Sequence, residues 1–177
     1  MDIHEHYMQM ALREAQQAAE EDEVPTGCII VKLPDEDNSS GEQLYDNASS
    51  FPCGQVIGRA HNQVERLSDP TAHAEMIAIT QAASAFGDWR LTNTVLYVTK
   101  EPCAMCAGAI VLARIPTIVF GVADPKRGGA VSVFNIVQHP DLIHRAEVIS
   151  GVLENECRGI LQNFFREKRA KRKAQFQ

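Results

Sequence analysis

The 177-residue chain lacks any apolar run approaching the roughly 20 residues that a membrane helix needs. Its opening stretch, MDIHEHYMQM, lacks the basic-then-apolar pattern of a secretion signal, so the expected location is cytoplasmic, with no membrane partner. It lacks an even cysteine count: Cys28, Cys53, Cys103, Cys106 and Cys157 make five, which argues against a disulfide framework in a chain with no export signal. There is no internal repeat and no low-complexity tract, and nothing requires a second domain. With 45% hydrophobic residues, a single domain over 1–177 with a sizeable core is the natural expectation.

Charge is unevenly spread. REKRAKRK, Arg166 to Lys173, holds six of the 17 basic residues and one of the 23 acidic ones, so the rest carries −11 against +5 in this tail. Cations at a helix end suit the macrodipole, which is one reading of Arg166, Lys168, Arg169, Lys171, Arg172 and Lys173. Contact with nucleic-acid phosphates is the other.

Apolar spacing at Met8, Leu12, Ala15 and Ala19 predicts a helix from about His6 to Glu21. GCIIVK (27–32) and QVIGRAHN (55–62) read as antiparallel strands, joined by a polar, turn-rich surface insertion over 33–54. A second helix is expected from Thr71 to about Ala85, capped by Asp69 or Thr71, with Met76, Ile77, Ile79 and Thr80 on its apolar face. NTVLYVTK, then a helix opening at Pro102 and running through Ala107, Ile110, Val111 and Ala113, then TIVFGV form a βαβ unit. DPKRGGAVS reads as a loop, AEVISG as a final strand, and 154–173 as a basic C-terminal helix. The whole is an α/β sandwich. Cys28 and Cys157 are expected in the core, and Cys53 as an exposed thiol.

The chemistry gathers in two motifs, DPTAHAE and EPCAMC. Cys103-x-x-Cys106 alone is compatible with a redox pair, half a zinc site, or packing. A helix start favours thiolate, the metal-binding form. His73, also at a helix start after a strand, supplies a third ligand, and no second Cys-x-x-Cys closes a four-ligand structural site. Three protein ligands leave one tetrahedral position for water, the mark of catalytic zinc, with one Zn2+ expected per chain. Glu75 alone would be an ordinary acidic residue at a helix N-terminus. His-x-Glu followed by Pro-Cys-x-x-Cys resembles the signature of the zinc deaminases, in which the glutamate is the acid/base.

With EVPTGCIIV, HN, DPTAHAE, LYVTKEPCAMCAGAI, IVFG, QHP and FFR in that order, the chain resembles the bacterial tRNA-specific adenosine deaminases from its first helix to Arg166, excluding the insertion. The resemblance implies the cytidine-deaminase-like fold, a three-layer α/β/α sandwich around a mixed sheet, a homodimer, and a tRNA anticodon stem-loop as substrate. It implies His73, Cys103 and Cys106 as zinc ligands and Glu75 as proton shuttle, with hydrolysis of adenosine to inosine at the wobble position. Asn62, Pro25 and the backbone of Ala74 would surround the base, with Asp124, Lys126 and Arg127 nearer the RNA. Lys100, Val131 and Ile143 depart from the family pattern, which usually has leucine, glycine and asparagine there. The rival activity is deamination of a free base, nucleoside or nucleotide of guanine or cytosine type; a small-molecule enzyme has no use for the basic tail. A non-catalytic zinc-stabilised binding module would not need Glu75, and a redox pair would hold no metal.

Overall fold

The computed structural model describes residues 2–34 and 54–175, so all of the insertion except Leu33, Pro34 and Gly54 lies outside the described residues, as does Cys53. The elements run α1 (Ile3–Glu20), β1 (Gly27–Lys32), β2 (Gln55–His61), α2 (Val64–Leu67), α3 (Ala74–Phe86), β3 (Thr94–Lys100), α4 (Ala104–Leu112), β4 (Thr117–Val122), β5 (Glu147–Ser150) and α5 (Glu154–Ala174). The sheet order is β2-β1-β3-β4-β5. β1 pairs antiparallel with β2 and β3, whereas β3–β4 and β4–β5 are parallel, which makes the sheet mixed.

Strand alternation divides the core in two. Cys28 and Ile30 of β1, Leu96 and Val98 of β3, and Ile118 and Phe120 of β4 face the layer of α3 and α4. Ile29 and Val31, Val95 and Tyr97, and Val119 face the layer containing α1. The result is the expected α/β/α sandwich. Cys28 and Cys157 are both fully buried, as expected.

Close approach demands glycine at Gly27, where a Cβ would fall 2.0 Å from the Ala11 carbonyl oxygen. α1 is thereby pressed onto β1.

Several expectations shift in detail: α1 starts at Ile3 rather than at about His6, and α4 at Ala104, with Cys103 as its N-cap, rather than at Pro102. α3 begins at Ala74, with His73 as its N-cap, rather than at Thr71. Its buried face is Ala74, Glu75, Ala78 and Ala82, with Met76 and Ile77 only partly buried and Thr80 exposed. Small alanines win there because α3 packs close over β2 and β1: a Cβ on Gly58 would come within 2.6 Å of the Ala78 carbonyl oxygen. The four-residue α2 is an addition that no apolar period announces.

Candidate active site

Two turns deliver the metal-binding side chains. Asp69 accepts hydrogen bonds from the Thr71 N–H (2.8 Å) and hydroxyl (2.7 Å), and the Gln63 N–H donates to the Ala72 carbonyl (3.0 Å). This brings His73 in with extended backbone, φ −74° and ψ 152°, before α3 starts. On a continuous helix, residues two apart point about 200° apart. Because His73 is the cap and Glu75 lies inside the first turn, both side chains reach one space. Cys103 caps α4 in the same way, with φ −71° and ψ 174°, and Cys106 follows in the first turn.

His73 Nδ1 lies 3.6 Å from Cys103 Sγ and 3.4 Å from Cys106 Sγ. A tetrahedral ion with Zn–N of about 2.05 Å and Zn–S of about 2.3 Å sets N and S ligands about 3.6 Å apart. Among the described residues, this triad is the one group of three or more His, Cys, Asp or Glu whose ligand atoms all lie within 4.8 Å of one another. The donor set and its spacing therefore fit zinc. A hydrogen bond from the Cys106 thiol, with help from His73, favours Cys103 as thiolate, and that same bond together with burial holds the Cys106 proton on. The bond to Cys103 also raises the His73 pKa.

Glu75 is 3% exposed, and burial pushes its carboxyl above the usual carboxylate range. Its Oε2 is buried without a hydrogen-bonding partner among the described residues. A buried carboxylate oxygen left unsatisfied costs stability, and a role in the reaction would explain why it is kept.

His73, Glu75 and Cys103 line a cavity of about 460 Å³, which Asn62, Asp124, Arg127 and Lys168 also reach. Pro25 is buried and its neighbours Val24 and Thr26 form the wall instead; Ala74 lies buried at the start of α3, and Lys126 is exposed beyond the rim. Of the tail, Lys168 reaches the cavity and ion-pairs with Asp22, whereas Arg166, Arg169, Lys171, Arg172 and Lys173 are exposed outside it. Of the three departures, only Lys100 lines the cavity. Its Nζ sits 2.6 Å from Asp124 Oδ2, while Asp124 Oδ1 accepts the Lys126 and Arg127 N–H groups. Val131 and Ile143 are exposed side chains elsewhere.

Sequence reasoning passed over several wall residues. Phe164 and Phe165 bring α5 over the cavity, a signal present in the FFR motif but read only as family likeness. Glu101 accepts from the backbone N–H groups of Asp124, Val131 and Ser132, each at 2.8 Å, and from the Ser132 hydroxyl, so it ties the whole 124–132 loop to the site. Gly128 packs against that carboxylate where a Cβ would not fit. Glu23 also lines the cavity; its signal, the start of EVPTGCIIV, was likewise read only as family likeness.

Residues 1–122 match the family model for the cytidine and deoxycytidylate deaminase zinc-binding region. The chain is 45% identical to the tRNA-specific adenosine deaminase of Bacillus subtilis (strain 168), over 96% of this chain and 93% of that one. It is 44% identical to the enzyme of the same description from Aquifex aeolicus (strain VF5), over 93% and 95%. A solved structure from a study of A-to-I editing by tRNA:A34 deaminases at the wobble position of transfer RNA superposes with a TM-score of 0.74 at 40% identity, covering 88% of this chain and 99% of the other. The guanine deaminase of Bacillus subtilis shares 31% identity at a TM-score of 0.53, over 68% of this chain and 64% of its own. With its zinc-binding triad in place, this chain belongs to the tRNA-specific adenosine deaminase family of zinc-dependent deaminases.

Proposed function

We propose that the chain hydrolyses adenosine to inosine, with release of ammonia, at the first anticodon position of tRNA, acting on the anticodon stem-loop. It works as one deaminase domain over 1–177, as a cytoplasmic homodimer. The observation that carries this reading is the meeting of the His73, Cys103 and Cys106 triad with Glu75, whose Oε2 is unpaired, at a cavity that His73, Cys103 and Glu75 line. No described helix is long and apolar enough to cross a membrane.

His73, Cys103 and Cys106 hold the zinc, and when bound the ion lowers the pKa of water towards neutrality. Glu75 takes up one proton of the attacking water at Oε2 and passes it to N1 of the adenine ring; it then takes the second proton from the new C6 hydroxyl and delivers it to the amino group, which departs as ammonia while C6 becomes a carbonyl. Its raised pKa suits a group that must both accept and return a proton near neutral pH. Asn62 meets the base from the opposite wall. Arg127 at the rim and the exposed cations of α5 hold the flanking phosphates, while Phe164 and Phe165 offer aromatic surface to an unstacked nucleotide.

The test is incubation of the zinc-loaded protein with an anticodon stem-loop bearing adenosine at the first anticodon position, beside free adenine, adenosine, guanine and cytosine. Inosine in the RNA alone is the expected result. Turnover of a free base with inert RNA would reassign the enzyme to nucleobase chemistry and turn attention to Lys100.

A further inference from the structure

Glu23 is 1% exposed, yet it belongs to neither the metal triad nor the proton path. α1 ends in a Schellman-type turn: the Glu23 N–H donates to the Ala18 carbonyl (2.9 Å) and the Asp22 N–H to the Ala19 carbonyl (3.1 Å), with Asp22 left-handed at φ 64°. That turn aims the Glu23 side chain inward. Its Oε1 accepts the Arg66 backbone N–H at 2.8 Å, and its Oε2 accepts the Asn62 Nδ2 at 3.3 Å. Among the described residues no cation forms a salt bridge with it, because the Arg66 guanidinium goes to Glu21. Burying a carboxylate on two hydrogen bonds without a counter-charge is costly, so its retention calls for a reason.

The reason lies in what the carboxylate does to Asn62. A carboxylate only accepts, so the amide atom facing it has to be Nδ2, which removes the twofold ambiguity of an asparagine side chain. The Asn62 backbone N–H is also held, by the Thr26 carbonyl at 3.1 Å. Asn62 is thus latched at both ends to the 23–26 segment, and its remaining amide hydrogen and Oδ1 keep one arrangement in the cavity wall. A fixed donor and acceptor pair is what distinguishes one edge of a nucleobase from another.

We propose that Glu23 is a positioning residue for the deamination: it locks the Asn62 amide in one orientation, so that the target base is accepted in one pose before Glu75. This rests on the reading of the site given under Proposed function.

The experiment is a double-mutant cycle with E23Q and N62A on the stem-loop substrate, with zinc content, Tm and the RNA Kd measured for each variant. Glutamine keeps the size of Glu23 but can offer Asn62 either an acceptor or a donor, so the orientation is no longer enforced. The expected result is a loss in kcat/KM on the order of 10- to 100-fold for E23Q, the range typical of groups that orient a functional residue. Zinc stoichiometry stays at one, and binding weakens for the adenosine-bearing loop but not for the same loop with an abasic target. In the N62A background E23Q then costs less than twofold more. A full multiplicative loss in that background, or equal weakening of the abasic loop, would make Glu23 only a brace for α2 and overturn the proposal. E23D, which keeps the charge and shortens the reach, runs through the same cycle if E23Q does not fold. If the wild type ignores RNA and deaminates a free base, the substrate reading fails on its own, and the same cycle on that base decides the role of Glu23.

Discussion

At the scale of single residues, the two carboxylates nearest the chemistry are held in opposite ways. Glu75 is buried with one oxygen unpaired, whereas Glu101 is buried with four hydrogen bonds. For Glu75 the proposed role is catalytic. Glu75→Ala should keep one zinc per chain and lose turnover by at least about three orders of magnitude, the upper part of the range for general acid–base groups. His73→Ala should lose both; metal analysis beside an activity assay checks this, and equal zinc loss in the two variants would refute the division of roles. For Glu101 the consequence is structural. Burial alone would raise its pKa, but the Ser132 hydroxyl and the N–H groups of Ser132, Asp124 and Val131 outweigh it and hold the carboxyl below the usual glutamate range. A group depressed on folding contributes stability above its unfolded pKa and loses it as pH falls through the folded value. Glu101→Gln should therefore lower Tm near neutrality and flatten the acid limb of a Tm-against-pH curve, with the wild-type gap closing as the pH drops below the ordinary carboxylate range.

At the scale of elements, local pattern was legible in the sequence and contact across the fold was not. Strand runs such as Thr94–Lys100 and Thr117–Val122 could be read because buried, β-branched stretches are distinctive, and the βαβ connection followed from them. The face of α3 was legible only in part: Ile77 and Ile79 do pack against the core, but the fully buried positions facing β2 are Ala78 and Ala82, small because the two elements lie so close. That His73, Cys103 and Cys106 come together was legible from the motifs, but His73 as a cap rather than a helical residue needed the Asp69 turn. Glu23 and Glu101 stood inside the motifs EVPTGCIIV and EPCAMC but were read only as family likeness, since a glutamate has no visible role until its partners at Asn62 and Val131 are brought to it by the chain. Tight contact at Gly27 carries its own prediction. Gly27→Ala must push α1 off β1 and should cost about 3 kcal/mol or more, a Tm drop of roughly 6–12 °C readable by calorimetry.

At the scale of the whole molecule, charge is segregated: the acidic body carries the pocket, and the cations of α5 extend from its rim. Lys168 is tied to Asp22, but Arg166, Arg169, Lys171, Arg172 and Lys173 point to solvent. Replacing these five by serine should raise KM for the stem-loop and make its dependence on log[salt] shallower by about 0.7 for each phosphate that the tail no longer neutralises, with zinc content and Tm unchanged. An unaltered salt slope would return the tail to the plain role of a solvated helix end.

His73 and Cys103 stand 30 positions apart in the chain, each at the start of a different helix, and both helices lie on the same side of the sheet. The ion they share is consequently a cross-link between two helix starts within one layer, and it leaves α1 and α5 on the other side untouched. Stripping the metal should therefore divide the protein unevenly. Amide hydrogen exchange should quicken over the first turns of α3 and α4, while the Ala11–Ala18 stretch of α1 keeps its protection, so that one face of the molecule breathes and the other stays closed.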